Sequence, residues 1–211
     1  MKVAILYDNT SFKEGLIADW GFSCLVDINN RRILFDTGAR GEILLSNMAT
    51  LGIDPETIDE IFISHHHQDH TGGLKTILSL NPVRVYLPMS CTEPSNAGEV
   101  VKIKASTELH HGIYSTGELF GIEQSLVVET EKGLAVIVGC SHPGVRNILS
   151  AASIHGRIFA LIGGLHGFSE FDLLKSLQLV CPTHCTLNIS AIRSYHPDKY
   201  VKGGVGKVIT I

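Results

Sequence analysis

Short apolar runs bounded by turn-forming residues mark most of the predicted elements in the first half of the chain. Five of these runs predict β-strands, over residues 2–7, 22–28, 32–35, 58–64 and 83–87. Asn29-Asn30, between the second and third strands, predicts a hairpin turn. Apolar residues at helical spacing predict helices over 41–51, where Gly52 ends the pattern, and over 73–80. Residues 90–101 are polar and rich in turn formers, which predicts a loop or at most a short helix.

The second half of the chain shows a similar order of strands and helices. Strands are predicted near Ile113 and over 125–129, 134–138, 158–162 and about 178–181. Helical spacing predicts helices over 144–152, 171–179 and 190–195. Periodicity alone therefore indicates an α/β or an α+β fold.

Length and composition favour one domain. The chain has 211 residues, of which 44% are hydrophobic, so it can bury a sizeable core. We therefore predict a single domain over 1–211. Lysine and arginine number 17 against 21 acidic residues, a formal net charge of −4. No basic stripe of the kind that phosphate backbones attract is present, so nucleic acid is not expected as a partner.

The N-terminal residues and the cysteines bear on where the protein works. Residues 1–9 hold a short apolar run without a signal-peptide pattern, and no apolar run reaches the length of a membrane span. We therefore expect a cytoplasmic protein that does not enter a membrane. Five cysteines, an odd number, predict free thiols rather than a disulfide framework, with Cys24 and Cys91 as buried or turn residues. The sequence leaves the oligomeric state open.

A cluster of histidines follows the strand predicted over 58–64. It reads His-His-His-Gln-Asp-His and is followed by Thr-Gly-Gly. In an extended chain alternate side chains share a face, so His65 and His67 point together, and a turn at the glycines would aim Asp69 and His70 at a second position. Imidazole and carboxylate are ligands of Zn, Fe and Mn, so the loop predicts a centre for one or two metal ions. A solvated histidine-rich loop or a purification tag is the alternative, but an apolar strand precedes the cluster and a helical pattern follows it.

This histidine loop resembles the metal-binding signature of the metallo-β-lactamase superfamily. Residues 32–38 resemble the early strand of that superfamily, which ends in an aspartate, here Asp36. Further segments resemble a subgroup that contains the archaeal dihydropterin-methyl-(ribofuranosyl)aminobenzene-phosphate synthases: 8–9, 21–23, 139–144, 162–166 and 182–186. The resemblance implies an αββα sandwich, in which two mixed β-sheets are flanked by helices and the active loops lie at one edge.

Isolated histidines downstream are further candidate ligands. His142 lies in a Gly-Cys-Ser-His-Pro-Gly turn after an apolar run, and its separation from His70 is compatible with the third histidine of the superfamily. His184 ends an apolar strand and resembles the last superfamily histidine. His166 is a metal ligand, a catalytic acid in contact with the substrate, or a support for a ligand. The remaining downstream histidines are expected in solvent or at the surface: His110, His111, His155 and His196.

One position departs from the wider superfamily. Members usually carry an aspartate that bridges two metals at the end of the strand after the third histidine, whereas here the corresponding strand ends in Cys140. Cys140 is therefore a candidate bridge, with a solvent hydroxide or a buried structural thiol as alternatives. We expect Asp69 to bind metal and steer the attacking water, and Asp36 to accept an imidazole N–H and fix its tautomer.

Three functions are compatible with these residues. The first is a metal-dependent hydrolase of a small phosphorylated or ester-like metabolite, which uses hydroxide activated by one or two Zn ions, with Fe or Mn as alternatives. The second, implied by the subgroup resemblance, is a synthase that joins a pterin diphosphate to an aminobenzene ribofuranoside phosphate and releases diphosphate. The third is a metal-binding sensor with low turnover, which the missing aspartate would permit. A flavodiiron-like redox role ranks lower, since the chain has no flavin or electron-donor module.

Overall fold

Two mixed β-sheets pack face to face in the computed structural model, which describes residues 1–211. The first sheet contains β1 (Lys2–Tyr7), β2 (Ser23–Ile28), β3 (Arg31–Phe35), β4 (Glu60–Phe62), β5 (Arg84–Pro88), β6 (Glu99–Ile103) and β13 (Val208–Thr210). The second contains β7 (Ala105–His110), β8 (Ile113–Gly117), β9 (Leu126–Thr130), β10 (Gly133–Val138), β11 (Ile158–Gly164) and β12 (Leu179–Thr183). The strand orders are β13-β1-β2-β3-β4-β5-β6 and β12-β11-β10-β9-β8-β7.

Helices cover the outer faces of both sheets. The α-helices are α1 (Gly41–Thr50), α2 (Gln68–Thr71), α3 (Leu74–Leu80), α4 (Val145–Ala152) and α5 (Ile189–Tyr195), and short 3-10 helices span Pro55–Thr57, Ser153–His155 and Phe171–Ser176. Alternation along each strand divides its side chains between layers. In β3, Ile33 and Phe35 pack against the other sheet, whereas Leu34 packs with residues of α1 and α3. In β10, Ile137 faces the first sheet and Val138 packs with residues of α4. The expected αββα sandwich is confirmed.

The parallel strands of both sheets end at the candidate site. β3 to β6 run parallel in the first sheet, and β10 to β12 run parallel in the second. The carboxyl ends of parallel strands lie at the same edge of a sheet, where open α/β sheets bind ligands. Asp36 follows β3, the histidine loop follows β4, residues 139–144 follow β10, His166 follows β11 and His184 follows β12. This topology brings together residues that are far apart in the sequence.

The strands that the apolar pattern missed lie at sheet edges. β6 begins at Glu99, inside the loop predicted over 90–101, while β7 and β13 were not predicted at all. All three are edge strands, and their side chains are mostly exposed or half-buried. An edge strand needs few apolar residues because one of its sides faces solvent, so its sequence lacks the alternation that marks an interior strand.

The helix predicted over 171–179 is wrong. Phe171–Ser176 forms a 3-10 helix instead, and Leu179 already belongs to β12. The reason is tertiary: Leu179 pairs with Ala160 in parallel register, and the N–H of Gln178 donates to the carbonyl of Phe159 (2.9 Å). Pairing with β11 therefore overrides the local helical spacing.

Several smaller expectations can also be compared with the structure. Asn29 and Asn30 both have positive φ (52° and 60°), which confirms the hairpin turn. All five cysteines are buried free thiols. His196 is not at the surface: it is buried, and its Nε2 lies 2.7 Å from the Phe171 carbonyl. His110 is half-buried, with Nε2 2.8 Å from the Glu60 carboxylate, so it is not simply solvated. No helix combines the length and apolarity that a membrane crossing requires.

Candidate metal centre

Three histidines form one group of converging donor atoms, here called the open set: His65, His67 and His142. Nε2 of His65 lies 3.1 Å from Nδ1 of His67, and Nε2 of His142 lies 3.2 Å from the same Nδ1. The side chain of His65 is buried, His142 is half-buried and His67 is exposed. His66 is also exposed and makes no hydrogen bond with these donors, as the alternation of an extended chain predicts.

A second group, here called the buried set, consists of Asp69, His70 and His184. Nε2 of His70 lies 3.3 Å from Nε2 of His184, and Oδ2 of Asp69 lies 3.2 Å from the same His184 nitrogen. The side chains of His70 and His184 are fully buried, and that of Asp69 is 20% exposed. Asp69 and His70 reach this position because the chain turns into α2 directly after His67.

Cys140 lies between the two sets. Its sulfur is 3.2 Å from Nε2 of His70. Its Sγ forms one compact group with donor atoms of His65 and His142 and another with those of His70 and His184, all within 4.8 Å of one another in each group. A hydrogen bond with Cys185 and burial raise the pKa of the Cys140 thiol, so its thiolate requires a nearby cation. The sulfur of Cys140 is thus close to donor atoms of both sets.

Asp36 fixes the tautomers of two histidines at once. Its Oδ2 lies 2.7 Å from Nδ1 of His70 and also accepts a hydrogen bond from Oγ of Ser64 (2.7 Å). Since that hydroxyl proton points at Asp36, Ser64 Oγ accepts from Nδ1 of His65 (2.8 Å). Both histidines thus carry their proton on Nδ1, which leaves the Nε2 lone pair directed into the centre.

Asn9 and Asp8 hold His184 in the same way. Oδ1 of Asn9 accepts from Nδ1 of His184 (2.9 Å), and Nδ2 of Asn9 donates to the His184 carbonyl (2.9 Å). Oδ1 of Asp8 accepts from the backbone N–H of His184 (2.8 Å). No role was predicted for these two residues, although Asp8-Asn9 is among the segments that resemble the subgroup.

Glu123 supports the loop that carries Cys140 and His142. Its carboxylate is buried and accepts four consecutive backbone N–H groups: Oε1 from Gly139 (3.1 Å), Cys140 (3.1 Å) and Ser141 (3.0 Å), and Oε2 from His142 (2.9 Å). Burial raises the pKa of Glu123, while the hydrogen bonds from His142 and Ser141 oppose that rise. The role of Glu123 was not predicted from the sequence. Its partners are backbone N–H groups, which any residue can supply, and they lie 16 to 19 residues later in the chain, after the β9–β10 hairpin.

Four site residues have left-handed backbone conformations that side chains other than glycine rarely adopt. They follow β3, β10, β11 and β12 and are Asp36 (φ 54°), Ser141 (φ 61°), His166 (φ 46°) and His184 (φ 48°). Such conformations cost on the order of 1–3 kcal/mol each and cluster at functional sites. Each strand end therefore makes a sharp turn at the centre.

The spacing of the donor atoms fits metal ions. Tetrahedral Zn with bonds of about 2.0–2.1 Å holds two ligand nitrogens about 3.3 Å apart. Measured separations between Nε2 or Nδ1 atoms here are 3.1, 3.2 and 3.3 Å. Lone pairs of His70 and His184 face each other at the last of these distances, an arrangement that a cation between them would stabilise. Both donor sets therefore fit divalent metal ions.

Burial disfavours the charged form of His70, but the charge and hydrogen bond of Asp36 outweigh burial and raise the pKa of this histidine. Three other histidines of the centre are poised as neutral ligands. Burial, with the charges of His166 and His67, lowers the pKa of His142 to about 4. Burial is also the main cause that lowers the pKa values of His65 and His184. Imidazole binds metal only when it is deprotonated, so these environments favour metal binding near pH 7.

His166 lies at the mouth of the open set. Its ring centroid is 4.7 Å from that of His142, and the residue is exposed. One of its nitrogens also lies within 4.8 Å of the sulfurs of Cys140 and Cys185. The structure thus places every candidate site residue of the sequence at this one edge, and His166 is one of those exposed to solvent.

Comparisons with known proteins agree with this geometry. A family profile described as Metallo-beta-lactamase superfamily matches residues 21–165. The chain is 28% identical to the 7,8-dihydropterin-6-methyl-4-(beta-D-ribofuranosyl)-aminobenzene-5'-phosphate synthase of Methanocaldococcus jannaschii, in an alignment that covers 85% of both chains. It is 29% identical to an uncharacterized protein of the same archaeon, over 99% of this chain and 100% of that one.

A solved structure gives the same result. The crystal structure of a metal-dependent hydrolase of the beta-lactamase superfamily superimposes with a TM-score of 0.79 and is 28% identical, covering 100% of this chain and 99% of the other. The family profile also spans more than half of the sequence, including the histidine loop and the turn with Cys140 and His142. The chain therefore belongs to the metallo-β-lactamase superfamily.

Proposed function

We propose that this protein is a metal-dependent hydrolase that acts on a small phosphorylated or ester-like metabolite. The observation that carries the proposal is the convergence of two donor sets that contain histidines on one side of the molecule, with Cys140 between them. Members of the superfamily are typically metal-dependent hydrolases. A small molecule is the expected partner.

The proposed ligands are His65, His67 and His142 for one metal and Asp69, His70 and His184 for the other, with Cys140 shared between them. Nitrogen, carboxylate oxygen and thiolate sulfur together suit Zn, and also Fe, better than Mn, which favours oxygen ligands. When bound, such ions polarise an ester or phosphoryl oxygen and lower the pKa of water towards about 7. We propose Zn as the resident metal.

Asp69 is proposed to orient the attacking water. Burial raises its pKa, but contact with His184 and the positive charge of the protonated form of His70 outweigh burial and hold the pKa of the Asp69 carboxyl below its ordinary value. An ionised carboxylate can only accept hydrogen bonds, so Asp69 can direct a water molecule but cannot protonate a leaving group.

His166 is proposed to protonate the leaving group. It is exposed, lies beside His142, and is the candidate histidine that belongs to neither donor set. A general acid must lie within hydrogen-bond reach of the leaving oxygen, which a residue at the mouth of the centre can do. Its replacement by glutamine should therefore slow the hydrolysis of esters with poor leaving groups more than of those with good ones.

The proposal is tested by screening phosphodiester, lactone and thioester substrates with the metal-replete protein. Hydrolysis of at least one class is expected, and it should disappear in Asp69→Asn while the metal content stays close to that of the wild type. Absence of hydrolysis in all classes, with both metals present, would support a metal-binding sensor instead.

A pterin-dependent synthase is a second candidate. It is favoured by the 28% identity with the archaeal synthase over 85% of both chains. The segment 90–98, which connects β5 to β6 without helix or strand, offers little binding surface for two large substrates. This makes the synthase the second candidate rather than the first. Release of diphosphate that depends on both a pterin diphosphate and an aminobenzene ribofuranoside phosphate would establish this candidate over the hydrolase.

A further inference from the structure

Trp20 is a large apolar side chain left exposed beside the buried set. Its relative exposure is 59%, and the centroid of its indole lies 5.0 Å from the imidazole of His184 with the planes tilted by 60°. The imidazole is buried while the indole above it is open to solvent. Exposed aromatic surface is unfavourable in water, so a group that covers this face would be stabilised by burial and by ring contact.

The backbone on both sides of Trp20 is fixed. The N–H of Asp19 donates to the carbonyl of Asp8 (3.1 Å), and the Asp19 carboxylate accepts from the Tyr7 hydroxyl and from Nε of Arg40 (3.1 Å). On the other side, the N–H of Gly21 donates to Oδ1 of Asn9 (3.2 Å). The indole is therefore presented from an anchored loop, which reduces the entropy that a ligand must overcome on binding.

Close packing also fixes this loop against the metal centre. A Cβ on Gly21 would lie 2.5 Å from the carbonyl oxygen of Asp69, so only glycine allows the approach. The N–H of Phe22 donates to the same carbonyl (3.2 Å). A group bound over Trp20 would thus lie next to Asp69, the residue proposed to orient water.

A second exposed apolar side chain belongs to the loop that contains His184. Leu187 is 79% exposed, and it lies in the loop after β12 that contains His184. Its backbone N–H donates to the carbonyl of His166 (2.8 Å), which fixes this loop too. The nearby guanidinium of Arg40 is already paired with Asp19, so this surface offers apolar faces rather than an unpaired positive charge.

We propose that Trp20 and Leu187 form a subsite that binds an aromatic ring of the substrate next to the metal centre. This inference rests on the proposed hydrolase function and narrows its substrates to aryl esters or aryl phosphate esters. Aromatic pairs at ring separations of about 4.5–7 Å gain up to about tenfold in affinity beyond the burial of area.

The chain contains one tryptophan, so its fluorescence reports on Trp20 alone. Phenylphosphonate and methylphosphonate are suitable probes because both carry the same charged group and only the first has a ring. We expect phenylphosphonate to change the fluorescence of the metal-loaded protein saturably, while methylphosphonate does not. In calorimetry, Trp20→Ala should reduce the affinity for phenylphosphonate about tenfold, and Trp20→Phe should retain most of the wild-type affinity.

Phe12→Ala is the matched control. Phe12 is 42% exposed in the same loop, but its ring lies under the ammonium of Lys207 (4.6 Å) rather than beside a candidate ligand. This variant should bind phenylphosphonate as the wild type does. If Trp20→Ala leaves the ratio of phenylphosphonate affinity to methylphosphonate affinity unchanged, the subsite is wrong. The subsite is also wrong if the fluorescence changes only with protein concentration, because a second copy of the chain would then cover Trp20.

Failure of the subsite and failure of the hydrolase can be told apart. If esters are hydrolysed but aryl and alkyl esters respond equally to Trp20→Ala, the subsite is wrong and the hydrolase stands. If phenylphosphonate binds over Trp20 but no ester is hydrolysed, the subsite stands and the hydrolase is wrong.

Discussion

The buried set and the open set of the metal centre differ in how their histidines are held. In the buried set, His70 and His184 are fully buried, and Nδ1 of each is bonded to an anchored side chain, Asp36 or Asn9. In the open set, only His65 has such support, through Ser64. His67 is exposed, and its ring nitrogens make hydrogen-bond-distance contacts only with His65 and His142.

This difference suggests that the two sets bind their metal ions with different affinities and have different roles. Ligands that are fixed before the metal arrives lose little entropy on binding, so the buried set should hold its ion more tightly. Ligands that border solvent leave room for a substrate, and His166 lies on that side. We therefore expect the open set to bind the exchangeable ion at which the substrate enters. The predictions below test this contrast.

The largest effect is expected when two ligands of the open set are removed. His65→Ala with His67→Ala should remove the open-set ion, reduce the metal content to one equivalent or less, and abolish activity. Elemental analysis measures the loss. His66→Ala is the matched control, since His66 is exposed and is not among the donors, and its metal content should equal that of the wild type. Unchanged metal in the double variant would contradict the ligand assignment.

Asp69 and Asp36 should differ strongly in their effects on rate. Asp69→Asn keeps an oxygen near the buried-set ion but removes the charge that orients water, so kcat should fall by about 10²–10⁴ with most of the metal retained. Asp36→Asn disturbs the hydrogen bonds that orient His70 and, through Ser64, His65, and should cost about 10- to 100-fold. The exposed Asp27→Asn serves as control. Equal losses from both variants would remove the distinction between the two aspartates.

Much of this centre could be predicted from the sequence, but for a limited physical reason. The candidate metal ligands in one loop, such as His65, His67 and Asp69, share a spacing that local geometry imposes. His142 and His184 were accessible because each ends an apolar run, and parallel strands bring their ends to one edge. Glu123 and Ser64 could not be predicted, because they act on backbone N–H groups or through a hydroxyl relay and leave no spacing signal.

The fold shows the same contrast between local and tertiary causes. Interior strands such as β3 and β10 are marked by their own apolar residues, and the pattern identified them. β7 and β13 exist because a neighbouring strand pairs with them at a sheet edge. Residues 171–179 have helical spacing but do not form an α-helix over that range, because Leu179 pairs with β11. Elements that a partner creates cannot be seen in their own sequence.

Cys140 should affect both sets, because it lies between them. In cobalt-substituted protein a thiolate ligand gives a sulfur-to-metal charge-transfer band, and we expect this band to vanish in Cys140→Ser. Loss of a ligand should also weaken the looser ion by about 10- to 100-fold. Cys91→Ser is the control, since Cys91 is buried among apolar side chains of the first sheet and its helices. A band that persists in Cys140→Ser would show that Cys140 does not supply the thiolate.

Glu123 should affect the open set more than the buried set. Glu123→Gln replaces one carboxylate oxygen by an amide NH₂, which cannot accept from the backbone, so part of the turn at 139–142 loses its acceptor. Affinity for the open-set ion should fall about tenfold, because the loop that carries His142 loses about the free energy of one charge-assisted hydrogen bond. Competition with a chelator measures the two sites separately, and the exposed Glu129→Gln in β9 is the control. Equal weakening of both ions would show that Glu123 supports the fold rather than this loop.

The smallest effect is expected in the stability of the metal-free protein at mildly acidic pH. The folded pKa values of His65, His142 and His184 lie below the ordinary 6.5, chiefly because of burial, so between that value and the folded pKa the unfolded chain binds more protons. Stability is then complete above pH 6.5 and falls as the pH is lowered towards 4, with a slope of at most about 1.4 kcal/mol per pH unit for each histidine. The raised pKa values of His70 and Asp8 act in the opposite direction. Thermal unfolding in chelator therefore measures the contribution of His65 as the difference between wild type and His65→Gln in the change of Tm from pH 7 to pH 5.5. His65→Gln should flatten this dependence, and the solvent-exposed His111→Gln should leave it unchanged. The same change of Tm with pH in wild type and His65→Gln would mean that burial does not hold His65 neutral in the folded protein.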